Sequence, residues 1–101
     1  MAELRWTERA LSDLEDIYDY IASGSAVYAR YTIQDLLTSG ETLKMFPESG
    51  RHLPEFPELP YRELISGNYR TIYRFDNERN TVVIITIVHG SRLLKETYLS
   101  E

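Results

Sequence analysis

The sequence predicts an α+β domain with the order β-α-α-β-β-β, an antiparallel sheet carrying a helical hairpin on one face. Three observations predict it. The apolar period is helical from Ala10 to Leu43, it changes to two beyond Pro60, and all four prolines lie between those halves, from Pro47 to Pro60. With 101 residues, 43% of them apolar, the chain has room for one domain over 1–101 and one buried core.

The first element is short. Residues 2–6 alternate, so Leu4 and Trp6 share one face of a strand, and Thr7 then offers its hydroxyl as a helix cap. Ala10, Leu11, Leu14, Ile17, Tyr18 and Ile21 form one helical stripe, with Asp13, Glu15, Asp16 and Asp19 on the other side, and Ser23-Gly24 ends the helix. A second stripe, Ala29, Ile33, Leu36, Leu37, Gly40 and Leu43, follows the cap residue Ser25 and stops before Pro47. Residues 47–60 read as a surface loop crossing over the fold.

Beyond the loop, Tyr61–Ile65, Tyr69–Phe75 and Thr81–His89 read as strands. Ser66-Gly67-Asn68 and the polar run Asp76–Asn80 separate them, which makes two consecutive hairpins. Val82–Val88 is the longest apolar stretch, far short of the roughly 20 residues of a membrane span, and reads as a buried strand. No basic segment followed by an apolar one opens the chain, so a cytoplasmic protein without membrane association is expected.

Composition removes several chemistries. The chain has no cysteine, hence no disulfide, zinc knuckle, iron–sulfur cluster or thiol nucleophile, and its two histidines alone cannot hold a structural metal. Neither metal nor cofactor is expected. A glycine-rich phosphate loop, a G-x-S-x-G elbow and an H-E-x-x-H pair are all missing from the sequence.

Lys+Arg 11 against Asp+Glu 16 gives a net charge of −5, the wrong sign for a generic nucleic-acid binder. The imbalance is local. Residues 1–49 carry four cations against nine carboxylates, whereas residues 50–101 carry seven of each. Nine of the 11 cations are arginines, which favours specific forked pairing over diffuse attraction.

In the strand Tyr69–Phe75, alternation puts Tyr69, Thr71, Tyr73 and Phe75 on one face and Arg70, Ile72 and Arg74 on the other. Arg62 joins the arginines if the hairpin register allows it, and Arg92 follows the last strand by three residues. Such a face either holds a phosphate backbone or an acidic peptide, or pairs with Glu58, Glu63 or Asp76 on a solvated surface. His89, at the end of the most apolar strand and before Gly90-Ser91-Arg92, is either a general acid–base group with a carboxylate such as Glu55 or Glu63, or a ring bonded to backbone at a strand end. His52 has the weaker claim. Eight tyrosines suggest base stacking, but Tyr18 lies on a helix stripe and Tyr61, Tyr69 and Tyr73 on strand positions that a core uses equally, so most read as core or partner packing.

Taken together, the opening strand with T-E-R-A-L-S-D-L-E-D-I, the loop F-P-E-S-G-R-H-L-P-E, the pair Y-R-E-L-I and Y-R-T-I-Y-R-F, and the ending V-I-I-T-I-V-H-G-S-R resemble the RelE/ParE toxin superfamily over residues 3–92. That resemblance implies the toxin of a bacterial type II toxin–antitoxin, or plasmid stabilisation, module. It also implies a cognate antitoxin and a hetero-oligomer with it, the antitoxin lying along the helical pair and sheet edge and Arg62, Arg70, Arg74, His89 and Arg92 contacting antitoxin or target. ParE-like members poison DNA gyrase, whereas RelE-like members cleave messenger RNA on the ribosome. The H-G-S-R ending, the acidic balance and the presence of only Lys44 and Lys95 as lysines look more like the ParE branch. In a RelE-like reading, resemblance places Glu55, Arg70 and His89 at the nuclease positions, but the tyrosine that follows such a histidine is Gly90 here. A third reading is an antitoxin-binding module that has lost its poison.

Overall fold

The computed structural model describes residues 1–100. Its elements are β1 (Glu3–Trp6), α1 (Glu8–Ala22), α2 (Ala26–Thr42), β2 (Arg51–His52), β3 (Tyr61–Ser66), β4 (Tyr69–Asp76) and β5 (Thr81–His89), closed by a 3₁₀ turn at Glu96–Leu99. Two helices pack against a five-stranded sheet, the α+β arrangement expected. Both expected caps form: Thr7 Oγ1 accepts the Ala10 N–H at 3.1 Å, and Ser25 Oγ accepts the Tyr28 N–H at 3.1 Å. The Thr7 hydroxyl also donates to the Ile85 carbonyl at 2.7 Å, so the residue that starts α1 fixes it to the sheet.

Strand order is β1-β5-β4-β3-β2, with β1 parallel to β5 and the remaining pairs antiparallel. The sheet is therefore mixed, where alternation alone suggested a purely antiparallel one. The long excursion through both helices and β2–β4 returns the chain to β1 in the same direction, as parallel pairing requires. With β1 and β4 on its flanks, β5 is buried continuously from Val82 to Val88.

Two apolar layers sandwich the sheet. On the helical side, Leu14 and Leu36 meet Ile87, while Ala10 and Leu43 meet Tyr73, Val82 and Ile84. On the other side, Leu53, Leu94 and Leu99 cover Ile72 and Val88. A β-bulge reconciles the layers: pairing steps from Ile72↔Thr86 to Tyr73↔Ile84, leaving Ile85 without a partner on β4. The extra residue switches the side-chain parity of β5, so that both Ile84 and Ile87 reach the helical layer.

The proline-rich loop differs from a purely superficial crossing. Residues Arg51–His52 pair with β3, and Leu53 is fully buried, because the second sheet face is apolar and needs cover. Gly50 makes the close approach possible. Its N–H donates to Tyr73 Oη at 2.9 Å, and a Cβ there would lie 2.6 Å from the Glu63 carbonyl oxygen and 2.7 Å from Tyr73 Oη. Among the described residues, no helix is long and apolar enough to cross a membrane.

Candidate functional site

Alternation along β3 puts Glu63 on the same face as Tyr61, under the second apolar layer, with Arg51 opposite on β2 and Ile72 opposite on β4. Its side chain has no exposed surface. A carboxylate survives there because two guanidiniums share it: Arg51 Nε donates to Oε2 at 2.5 Å and Arg70 Nε donates to Oε1 at 2.6 Å. Arg70, on β4, then uses its outer edge on Glu55 from the loop, with Nη1 2.7 Å from Oε2 and Nη2 2.8 Å from Oε1. This is a bidentate fork.

The hydrogen bonds from Arg70 hold the Glu55 carboxyl below the usual value, against an opposing push from burial. The same bonds raise Arg70, again against burial. Arg51, Arg70, Glu55 and Glu63 together sum to zero charge.

His89 closes β5 opposite Tyr69 of β4, and the two rings stand edge to face at 5.4 Å between centroids. Nδ1 of His89 accepts the Ser91 N–H at 3.1 Å and lies 2.7 Å from Ser91 Oγ. Because a backbone N–H can only donate, the neutral ring carries its proton on Nε2. A pocket of about 510 Å³ opens between these groups, lined by Arg51, Glu55, Tyr69, Arg70, His89 and Ser91. Next to it, a groove of about 730 Å³ shares Tyr69, His89 and Ser91 and runs past Arg92 to Asp16, Tyr20 and Tyr28 on the helices. Tyr20 is 80% exposed and Tyr28 58%, while burial pushes the Tyr69 hydroxyl upward in pKa.

The fold thus brings Glu55, Arg70 and His89 to one pocket and places Arg92 on the neighbouring groove. Arg62 does not join the arginines of β4. It faces Tyr73 in register, on the opposite side of the sheet from Arg70, and donates to the Gly50 and Glu48 carbonyls at 2.8 and 3.2 Å. Arg74 shares the Arg70 face but lies four residues further on, about 13 Å along the strand, opposite Tyr61. The continuous solvated arginine face considered for β4 is therefore divided: Arg70 is buried in ion pairs, and Ile72 between the two arginines belongs to the second core.

Sequence reasoning took Glu63 for a surface partner and missed it as the hub. The signal was present, since Tyr61, Glu63 and Ile65 alternate and an acid between apolar residues on one strand face needs a cation beside it. Arg51, to which the sequence reading gave no role, completes the cluster through the short β2–β3 pairing.

Residues 4–94 match the family model described as the ParE toxin of the type II toxin–antitoxin system, parDE. The chain is similar to Toxin RelE2 of Caulobacter vibrioides, 36% identical over 93 residues that cover 92% of this chain and 100% of that protein. Among solved structures it is similar to a chain of the chromosomal ParDE TA system from P. aeruginosa, with a TM-score of 0.71 at 26% identity, covering 88% of this chain and 96% of that one. It shares its fold with a chain of the RelBE2 toxin–antitoxin complex from Mycobacterium tuberculosis, with a TM-score of 0.66 at 24% identity, covering 87% of this chain and 96% of that one.

Proposed function

Since this chain belongs to the RelE/ParE superfamily of type II toxin–antitoxin toxins, we propose that it is a ParE-like poison of DNA gyrase, neutralised by a cognate antitoxin, and that it does not cleave messenger RNA. One observation carries this choice: the forked edge of Arg70 is filled by Glu55 while its Nε is held by Glu63. A guanidinium that stabilises a transferring phosphoryl group needs that edge free. A general base needs a carboxylate able to take a proton near neutral pH, and Glu55 is held the other way. The two groups that a histidine-type nuclease would combine with His89 thus neutralise each other.

Charge supports the same reading, because a net −5 opposes docking on ribosomal RNA, and neither Lys44 nor Lys95 lines the pocket. The antitoxin is the partner that the related complexes suggest. In this reading it lies over the helical hairpin, where Tyr20 and Tyr28 border the groove that ends at His89 and Arg92. Arg70, engaged by its own loop, then supports the pocket and is not an anchor for an acidic tail.

The ribosome-dependent nuclease is the second reading, favoured by the convergence of Glu55, Arg70 and His89 on one pocket. A non-toxic antitoxin-binding module is the third. Inducing the protein alone in bacteria, with plasmid supercoiling and translation followed separately, distinguishes the three. Gyrase inhibition predicts loss of supercoiling and a DNA-damage response before translation falls. A fall in translation first favours the nuclease, and undisturbed growth favours the binding module.

A further inference from the structure

We propose that the groove between α1 and the end of β5 takes a cationic side chain, lysine or arginine, from an extended segment of a partner protein, gripped by the rings of Tyr20, Tyr28 and Tyr69 beside the Asp16 carboxylate. Three elements deliver these groups to one place. Asp16 and Tyr20 are four residues apart on α1 and so share a face, with Ile17 and Ile21 beside them. Tyr28 stands in the first turn of α2, Tyr69 opens β4, and all of them line the same groove of about 730 Å³. Burial pushes the Tyr69 hydroxyl up in pKa, and Tyr20 and Tyr28 are near enough to add to the push.

Charge selects the class of ligand. Residues 1–49 carry four cations against nine carboxylates, and this half supplies the helical wall of the groove. Asp13 on that wall is engaged by Thr86 and Ile87, whereas Asp16 makes no ion pair among the described residues. The face of an aromatic ring is negative, so rings and carboxylate together attract a cation and repel an anion. Tyr20 is 80% exposed and Tyr28 58%, which leaves ring surface for a ligand to cover.

The floor suits the rest of such a side chain. Ile17, Ile21 and Val88 offer apolar surface to the methylene stem of a lysine or arginine whose charged head lies at the tyrosines. Arg92 lines the groove away from the helices and disfavours a second cation there, so the tyrosine end is the cationic subsite. The identity of the partner, the antitoxin, rests on the reading above. The cationic side chain is the chemistry added to it.

The test uses neither antitoxin nor gyrase, so it can fail while that reading stands, and the reverse. The peptides acetyl-Gly-Arg-Gly-amide and acetyl-Gly-Lys-Gly-amide are titrated into the protein beside the neutral citrulline counterpart, with the tyrosine ring signals followed by NMR. At least one cationic peptide should bind about tenfold more tightly than the citrulline peptide, the Tyr20, Tyr28 and Tyr69 signals moving together. Tyr20→Leu and Asp16→Asn should each weaken that binding about three- to tenfold, while Tyr20→Phe, which keeps the ring, should bind like wild type. Both side chains are exposed, so these variants keep the fold. Absence of binding, equal binding of the cationic and citrulline peptides, or binding that Tyr20→Leu and Asp16→Asn leave unchanged overturns the proposal.

Discussion

The Asp13 carboxylate of α1 takes two hydrogen bonds from β5, at 2.5 Å from Thr86 Oγ1 and 2.9 Å from the Ile87 N–H. β1 pairs only with Thr81–Ile84, so Asp13 stands where a longer edge strand would continue. An otherwise open edge is covered by a side chain that also fixes α1 over the sheet.

Asp13→Ala should therefore lower stability by about 1–3 kcal/mol, because both donors lose their acceptor in a partly buried position. Urea denaturation measures the loss, and native-state hydrogen exchange localises it. The Ile87 amide should exchange faster in the variant, with Asp13→Asn, which keeps one acceptor oxygen, in between. Unchanged protection at Ile87 would show that the contact is not made in solution.

At Gly50 the expected effect is steric. Gly50→Ala should destabilise by about 1–3 kcal/mol or more, since the new methyl group meets the Glu63 carbonyl and the fully buried Tyr73 side chain. Tyr73→Phe removes the acceptor of the Gly50 N–H together with a side-chain hydrogen bond to Ser49 and should cost about 1–3 kcal/mol. In the double variant, removal of the hydroxyl leaves the clash with the Glu63 carbonyl, so Tyr73→Phe should not rescue Gly50→Ala.

Thr71 gives a prediction of the opposite sign. Its hydroxyl is buried on β4 with no hydrogen-bond partner. Thr71→Val removes a desolvated polar atom at nearly constant shape and should leave stability unchanged or raise it by up to about 1 kcal/mol. A clear loss in thermal denaturation would mean that a bound water or partner satisfies the hydroxyl.

Acid should weaken the loop that carries Glu55. Its folded pKa lies below the ordinary value of 4.5, so the stabilisation is fully present above that value and is lost as pH falls through the folded pKa. Stability measured against pH should decline from about 4.5 downward. Glu55→Gln should flatten that part of the profile, and an unaltered profile would remove the Glu55–Arg70 pair from the acid response.

How much of this was legible follows from which interactions are local. Thr7 and Ser25 announce their helices because a cap needs only residues three positions away, and β5 announces itself because burial on both faces demands a continuous apolar run. Pairing across the sheet is not local. The parallel β1–β5 contact, the Ile85 bulge and the side on which Arg62 emerges depend on register between segments distant in sequence. Glu55, Arg70 and His89 came through resemblance as a group. Their mutual neutralisation did not, because it needs Glu63 buried behind Arg70 and the loop folded over it.

The sharpest test pairs purified DNA gyrase with a purified ribosome and messenger RNA, both challenged with the wild-type protein. Gyrase poisoning predicts that supercoiling stops while the messenger RNA stays intact. The contradicting result is messenger RNA cut on the ribosome with supercoiling untouched, the cleavage rate falling by about two to four orders of magnitude in His89→Ala.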